Sequence, residues 1–127
     1  MADNLPNIIE NELLDALVGA TSFSVTTPIK LALVTVNGDD ASAGTEVTGG
    51  SYARQTITFT AAASGQIEND SAISFTGMPA VTVVGIELYD SAGSPKRLAY
   101  GALTVSRAVT AGDTVQFASG AITLSLA

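Results

Sequence analysis

The stretch EVTGGSYARQTITFT, residues 46–60, is the most distinctive part of the chain. It combines a carboxylate, a Gly-Gly pair, a tyrosine and one of the five cationic residues. Three kinds of chemistry compete for it: an active-site loop, a phosphate cradle, and a lead-in to a strand. Catalysis by a Ser-His or Cys-His dyad is excluded, because the sequence has no histidine and no cysteine. The same absence removes disulfides, thiolate ligands and imidazole zinc sites. Enzyme readings therefore rest on carboxylates, Lys, Arg or Tyr.

Two carboxylates about 5–10 Å apart across a cleft would suit glycoside hydrolysis. Glu46, Glu68, Asp70, Glu87 and Asp90 are the acids to consider, but nothing in the sequence sets one pair apart. No tryptophan is present to serve as a sugar platform. The run TGGSYAR lacks the Gly-x-x-x-x-Gly-Lys-Ser/Thr spacing of a phosphate loop, and an alternating segment follows it instead of a helix. Gly49 and Gly50 are better explained by a sharp turn into a strand. No enzyme activity and no cofactor are expected.

Tyr52 and Arg54 are two residues apart and share one face of an extended chain. Such residue types dominate interface energetics, so both are interface candidates; the competing account is local packing at a strand start. Asp39, Asp40 and Glu46, with Asn37 and Ser42, form the densest group of oxygen donors and the one calcium candidate. Their spacing does not follow an EF-hand loop, and a solvated turn is the alternative.

These residues must be positioned by surrounding elements. NLPNIIENELLDALVGA carries Ile9, Leu13, Leu17 and Ala20 at helical spacing, which predicts an N-terminal helix within residues 1–20. Asn4 is placed to cap it, Pro6 suits a first turn, Glu10 and Glu12 lie early, and Gly19 is a natural stop. The apolar face either covers the chain's own core or docks on a partner through Leu13 and Leu17.

From Gly19 onward the period becomes two. In PIKLALVTV, Ile29, Leu31 and Leu33 share one side while Ala32, Val34 and Val36 share the other, so this strand is expected to be buried on both faces. Inward positions follow at Ile57, Phe59, Ile73 and Phe75, and then at Val84, Ile86 and Leu88, with Gly85 marking a bulge or close backbone approach. DSAGSPK and VTAGDTV read as turns. The expected fold is mainly β: a jelly-roll-like sandwich of about seven or eight antiparallel strands over residues 28–127, in one domain spanning 1–127 with the helix in front.

The net charge of −7 repels phosphate backbones, and charged residues are only 13%, about half the usual quarter. No apolar run is long enough to span a bilayer, and the acidic start lacks the basic region of a signal peptide. Nucleic acid and membrane are not expected partners, and synthesis in a cytoplasm is expected.

EVTGGSYARQTITF, then VGIELYDSAG, then RLAYGALTVSRAVTAGDTVQFASGAITLSL resemble, in that order, a group of short tailed-phage virion proteins often labelled tail fibre proteins. The resemblance covers residues 46–126. It departs at Tyr100, where relatives commonly carry Trp, and in LALVTVNG, which lacks an aromatic often found there. It implies a non-enzymatic component of the virion exterior, made in the host cytoplasm. Compactness favours a capsid decoration or cement protein that bridges neighbouring subunits. Such proteins form homo-oligomers, frequently trimers, and contact other virion proteins such as the major capsid protein. The alternative is a tail-fibre or spike module that binds host-surface carbohydrate, with Tyr52, Tyr89 and Tyr100 as platforms.

Overall fold

The computed structural model describes residues 4–126. Helix α1, Asn7–Leu17, precedes the strands β1 (Lys30–Val36), β2 (Thr45–Glu46), β3 (Gln55–Thr56), β4 (Gln66–Glu68) and β5 (Ile73–Phe75). The strands β6 (Val81–Tyr89), β7 (Arg97–Val109), β8 (Val115–Phe117) and β9 (Thr123–Ser125) complete the order. All pairings are antiparallel. The main sheet runs β2-β1-β6-β7, with β3 pairing the same edge of β1 as β2; β4-β9 and β5-β8 form two small ribbons. The architecture is sandwich-like and mainly β, as the alternation predicts. The layer facing the main sheet consists of two separate ribbons of three-residue strands.

Strand β1 is the centre of the main sheet. Leu31, Ala32, Leu33 and Val34 are completely buried, so both of its faces are covered. Directly opposed residues share a face, and the pairings Leu31-Leu88-Ala99 and Leu33-Ile86-Gly101 make the inner side apolar. Ile57, Ile73, Phe75, Val115 and Phe117 join that core. Ile57 and Phe59 point inward as the alternation predicts, although β3 ends before them. Val36 lies outside the core at 58% exposure, where β1 runs out.

One inward position differs from the sequence reading. Val83, not Val84, is buried with Ile86 and Leu88. The register shifts between Val83 and Gly85, and a bulge there reverses which side chains face the core. Gly85 serves both roles proposed for it. A Cβ at that position would lie 1.9 Å from Asn37 Oδ1 and 2.8 Å from the Gly101 carbonyl.

The helix is shorter than the 1–20 span, and residues 1–3 and 127 lie outside the described residues. Gly19 takes φ 78° and ends α1, with the Ala20 N–H bonding back to the Asp15 carbonyl at 2.8 Å. Asn4 is not the cap. Pro6 holds the N-cap position without a side-chain bond, and the Asn7 N–H donates to the Asp40 carbonyl at 3.0 Å. The Asn4 carbonyl instead accepts from the Tyr100 N–H at 2.9 Å, which ties the N-terminal segment to β7. Of the helix residues only Ile9 is buried; Leu13 packs partly on the core, while Leu17 is 80% exposed.

The ribbons are held together by a residue with no apolar signal. Asn69 is completely buried. Its Nδ2 donates to the carbonyls of Ser71 and Ala118, both at 2.9 Å, and its Oδ1 accepts from the Ile122 N–H at 2.9 Å. One amide side chain thereby answers backbone groups beside β5, β8 and β9. Asn69→Ala would leave them unpaired in the interior. The expected cost is about 3 kcal/mol, seen as a fall of roughly 10 °C in Tm by calorimetry. A Tm unchanged within about 2 °C would mean that the backbone finds other partners.

Candidate functional site

The distinctive stretch forms a broken sheet edge. Strand β2 ends at Glu46 and β3 starts at Gln55, so the chain leaves β1 between them. Gly49 and Gly50 adopt φ 103° and 55°, conformations that disfavour a side chain. A Cβ on Gly50 would lie 2.6 Å from the Gly77 carbonyl, which accepts the Ser51 N–H at 2.8 Å. The turn returns Tyr52 to the gap. Its hydroxyl accepts the Leu33 N–H at 3.0 Å and donates to Glu46 Oε2 at 2.8 Å. Arg54 grips the same carboxylate with Nε at 2.9 Å and Nη2 at 2.8 Å. The Tyr52 ring stacks on Phe75 with centroids 5.9 Å apart. Burial raises the Glu46 pKa, but the hydrogen bonds from Arg54 and Tyr52 outweigh it and hold the carboxyl below its ordinary value.

The network continues across the outer face of the sheet. The Arg54 guanidinium lies 3.8 Å from the Tyr89 ring centroid, and the Tyr89 hydroxyl donates to Glu87 Oε1 at 2.8 Å. Glu87 is 1% exposed. Its Oε2 accepts the Gly44 N–H at 2.8 Å and Arg97 Nη1 at 3.2 Å. Arg97 also donates to the Asp39 carbonyl and lies 4.9 Å from the Tyr100 ring centroid, while the Tyr100 hydroxyl donates to Asp40. The loop over residues 37–44 is thus drawn onto the sheet.

This arrangement corrects the calcium reading of Asp39, Asp40 and Glu46. Asp39 Oδ1 accepts the N–H groups of Ala41 and Ser42 at 2.9 and 2.7 Å, Asp40 holds Tyr100, and Glu46 holds Arg54. Among the described residues no three acids assemble into a cation site. Two of the other carboxylates considered for hydrolysis are engaged within the chain in the same way. Asp70 accepts from the Thr58 hydroxyl, and Asp90 accepts N–H bonds from Lys96, Thr26 and Ala92. The Lys96 N–H bond is the main reason that Asp90 stays below its ordinary pKa, opposite to what a general acid needs. Glu68 is the sole acid lining a shallow hollow near Thr60 and Gln66.

Tyr52, Arg54, Tyr89 and Tyr100 are therefore brought together, yet by bonds within the chain. Leu13 and Leu17 lie elsewhere. Leu13 lines an apolar groove of about 350 Å³ between α1 and the body, whose other walls include Phe23, Phe59, Leu98 and Leu124. Leu17 stands beyond its rim, one turn from Leu13. Sequence reasoning missed Arg97 and the groove. It weighed Glu87 only as a catalytic acid, although a carboxylate inside the apolar run VVGIELY signals a buried partner.

A family model described as podophage GP4 fiber I protein gp80 matches residues 4–125. No curated protein matches the chain.

Two outcomes follow from the network. Burial raises Tyr52, and burial followed by the bond to Glu87 raises Tyr89 to about 12. The bond to Asp40, then burial, raises Tyr100 to about 12. A raised pKa stabilises the fold below the ordinary value of 10.0, and that stabilisation is lost as pH rises through the folded value. Absorbance at 295 nm is expected to stay flat through pH 10 and to rise near pH 12 together with loss of the far-UV circular dichroism. A separate step near pH 10 in the folded protein would show a free hydroxyl. Arg54→Ala is expected to cost about 1 kcal/mol in urea unfolding, a value discounted for the 30% exposure of the pair. No loss of stability would mean that Arg54 faces outward in solution.

Proposed function

The chain belongs to the podophage GP4 fiber I protein family, and on that premise we propose that it is a structural contact protein of the particle exterior, fibre-type and non-enzymatic. The observation that carries this reading is how the surface divides. The aromatic and charged residues that would recognise a sugar are engaged with one another, whereas the apolar side is open. Tyr52, Tyr89 and Tyr100 each donate their hydroxyl to a carboxylate, and Arg54 and Arg97 lie against two of their rings. The chemistry left for a neighbour is burial of apolar surface, the usual basis of lasting protein contacts. Binding only the assembled neighbour would stabilise that assembly by mass action.

A second reading, capsid decoration, is favoured by compactness. Among the described residues the helix has eleven residues and the strands return on themselves, with no extended shaft. Gold-labelled antibody against the protein is expected to mark intact particles at fibres, and the isolated protein is expected not to bind host cells or their polysaccharide. Saturable binding of the isolated protein to cells would overturn the contact reading in favour of receptor recognition. Label spread over the capsid, with depleted particles failing sooner on heating or at low ionic strength, would select decoration.

A further inference from the structure

The open apolar side has a definite electrostatic frame. On α1, Leu14, Leu17 and Val18 are 60%, 80% and 78% exposed and are helical neighbours at spacings of three and four. Leu17 is also one turn from Leu13, which lines the groove, and the exposed Leu126 lines it from the other side. Ridge and groove therefore form one surface, larger than scattered apolar residues would give. Its helical border is acidic. Glu10 is one turn from Leu14, Asp15 lies beside Val18, and α1 has no basic residue in its last turn. Glu12 is paired with Lys96 at 2.7 Å, whereas Glu10 and Asp15 have no ion pair among the described residues.

A second copy of the chain is a poor complement to this frame. It would bring the same acidic helix, whose described face carries no basic residue to answer Glu10 or Asp15. Of its five cations Arg54, Lys96 and Arg97 are in ion pairs, while Lys30 on β1 and Arg107 on β7 donate only to neutral oxygens and lie outside α1. We propose that the groove and the exposed face of α1 dock an apolar, Lys/Arg-flanked segment of a different protein, its aliphatic side chains entering the groove and its cations facing Glu10 and Asp15. The partner's place in the particle rests on the reading above; the docking chemistry does not. The groove volume lies within the roughly 300–1,000 Å³ of ordinary binding pockets. The acidic border would speed encounter and select the partner, while burial would hold it.

The test uses the full chain and two labelled synthetic amphipathic peptides with identical Leu/Val positions, one flanked by lysines and one by glutamates. Fluorescence anisotropy is expected to show the lysine peptide binding at least about ten-fold more tightly, with the gap narrowing in high salt. Leu17→Asp changes a residue already in water, so the fold should persist by circular dichroism while binding falls at least about ten-fold. Glu10→Gln with Asp15→Asn should reduce only the preference between peptides. Equal binding of both peptides, or none, would overturn the proposal. So would a dimer by light scattering that Leu17→Asp dissociates, since a second copy would then be the occupant. Because no particle enters the experiment, these failures leave the location of the protein untouched.

Discussion

Glu87 lies near the end of β6 at 1% exposure, and a carboxylate there is tolerable only when its oxygens are answered. The answers come from three places: the Tyr89 hydroxyl two residues on, Arg97 on the neighbouring strand, and the Gly44 N–H from the loop between β1 and β2. Meeting this demand shapes much of the outer face. Arg97 is fixed across β6 and β7, and it then holds the Asp39 carbonyl. Gly44 must come close, so the loop lies over the sheet, and Gly38 has no room for a side chain, with Glu87 Oε2 2.7 Å from where a Cβ would stand. Tyr89, held by Glu87, offers its ring to Arg54, which grips Glu46.

The polar side of the molecule is therefore closed. A chain with only five cations commits three of them to ion pairs across this face and the helix contact, and the aromatic hydroxyls follow. The apolar side is arranged in the opposite sense. Only Ile9 of α1 is buried, and the groove beside the helix is lined by aliphatic and aromatic groups. Internal satisfaction on one side and open apolar surface on the other is the division on which the proposed contact role rests.

Much of the fold was legible because it is written in local periodicity. The two apolar faces of LALV, the inward positions Ile57, Ile73 and Phe75, the stop at Gly19 and the turn at Gly49-Gly50 depend on a few adjacent residues, and each is found. The failures have a common cause. Val83 replaces Val84 because a bulge changes parity midway along β6, and alternation carries no mark for where a bulge falls. Asn4 loses its expected capping role because the Asn7 N–H and the Asn4 carbonyl meet partners from the loop at Asp40 and from β7. The candidate site was half visible: Tyr52 and Arg54 were rightly grouped, but Arg97 and the roles of Glu46 and Glu87 were not apparent.

By itself the sequence determined the helix followed by antiparallel β structure, the absence of thiol and imidazole chemistry, and the family through the match over residues 4–125. Only the tertiary structure decided that Tyr52 completes the edge of β1, that the supposed calcium carboxylates of Asp39, Asp40 and Glu46 hold backbone N–H groups, Tyr100 and Arg54, and that Leu14, Leu17 and Val18 remain in water. The reason is the range of the forces involved. Side-chain alternation and backbone preference act over a few residues and can be read along the chain. One partner of Glu87, the Gly44 N–H, lies 43 residues away, and only the folding of the loop between β1 and β2 over the sheet brings the two together.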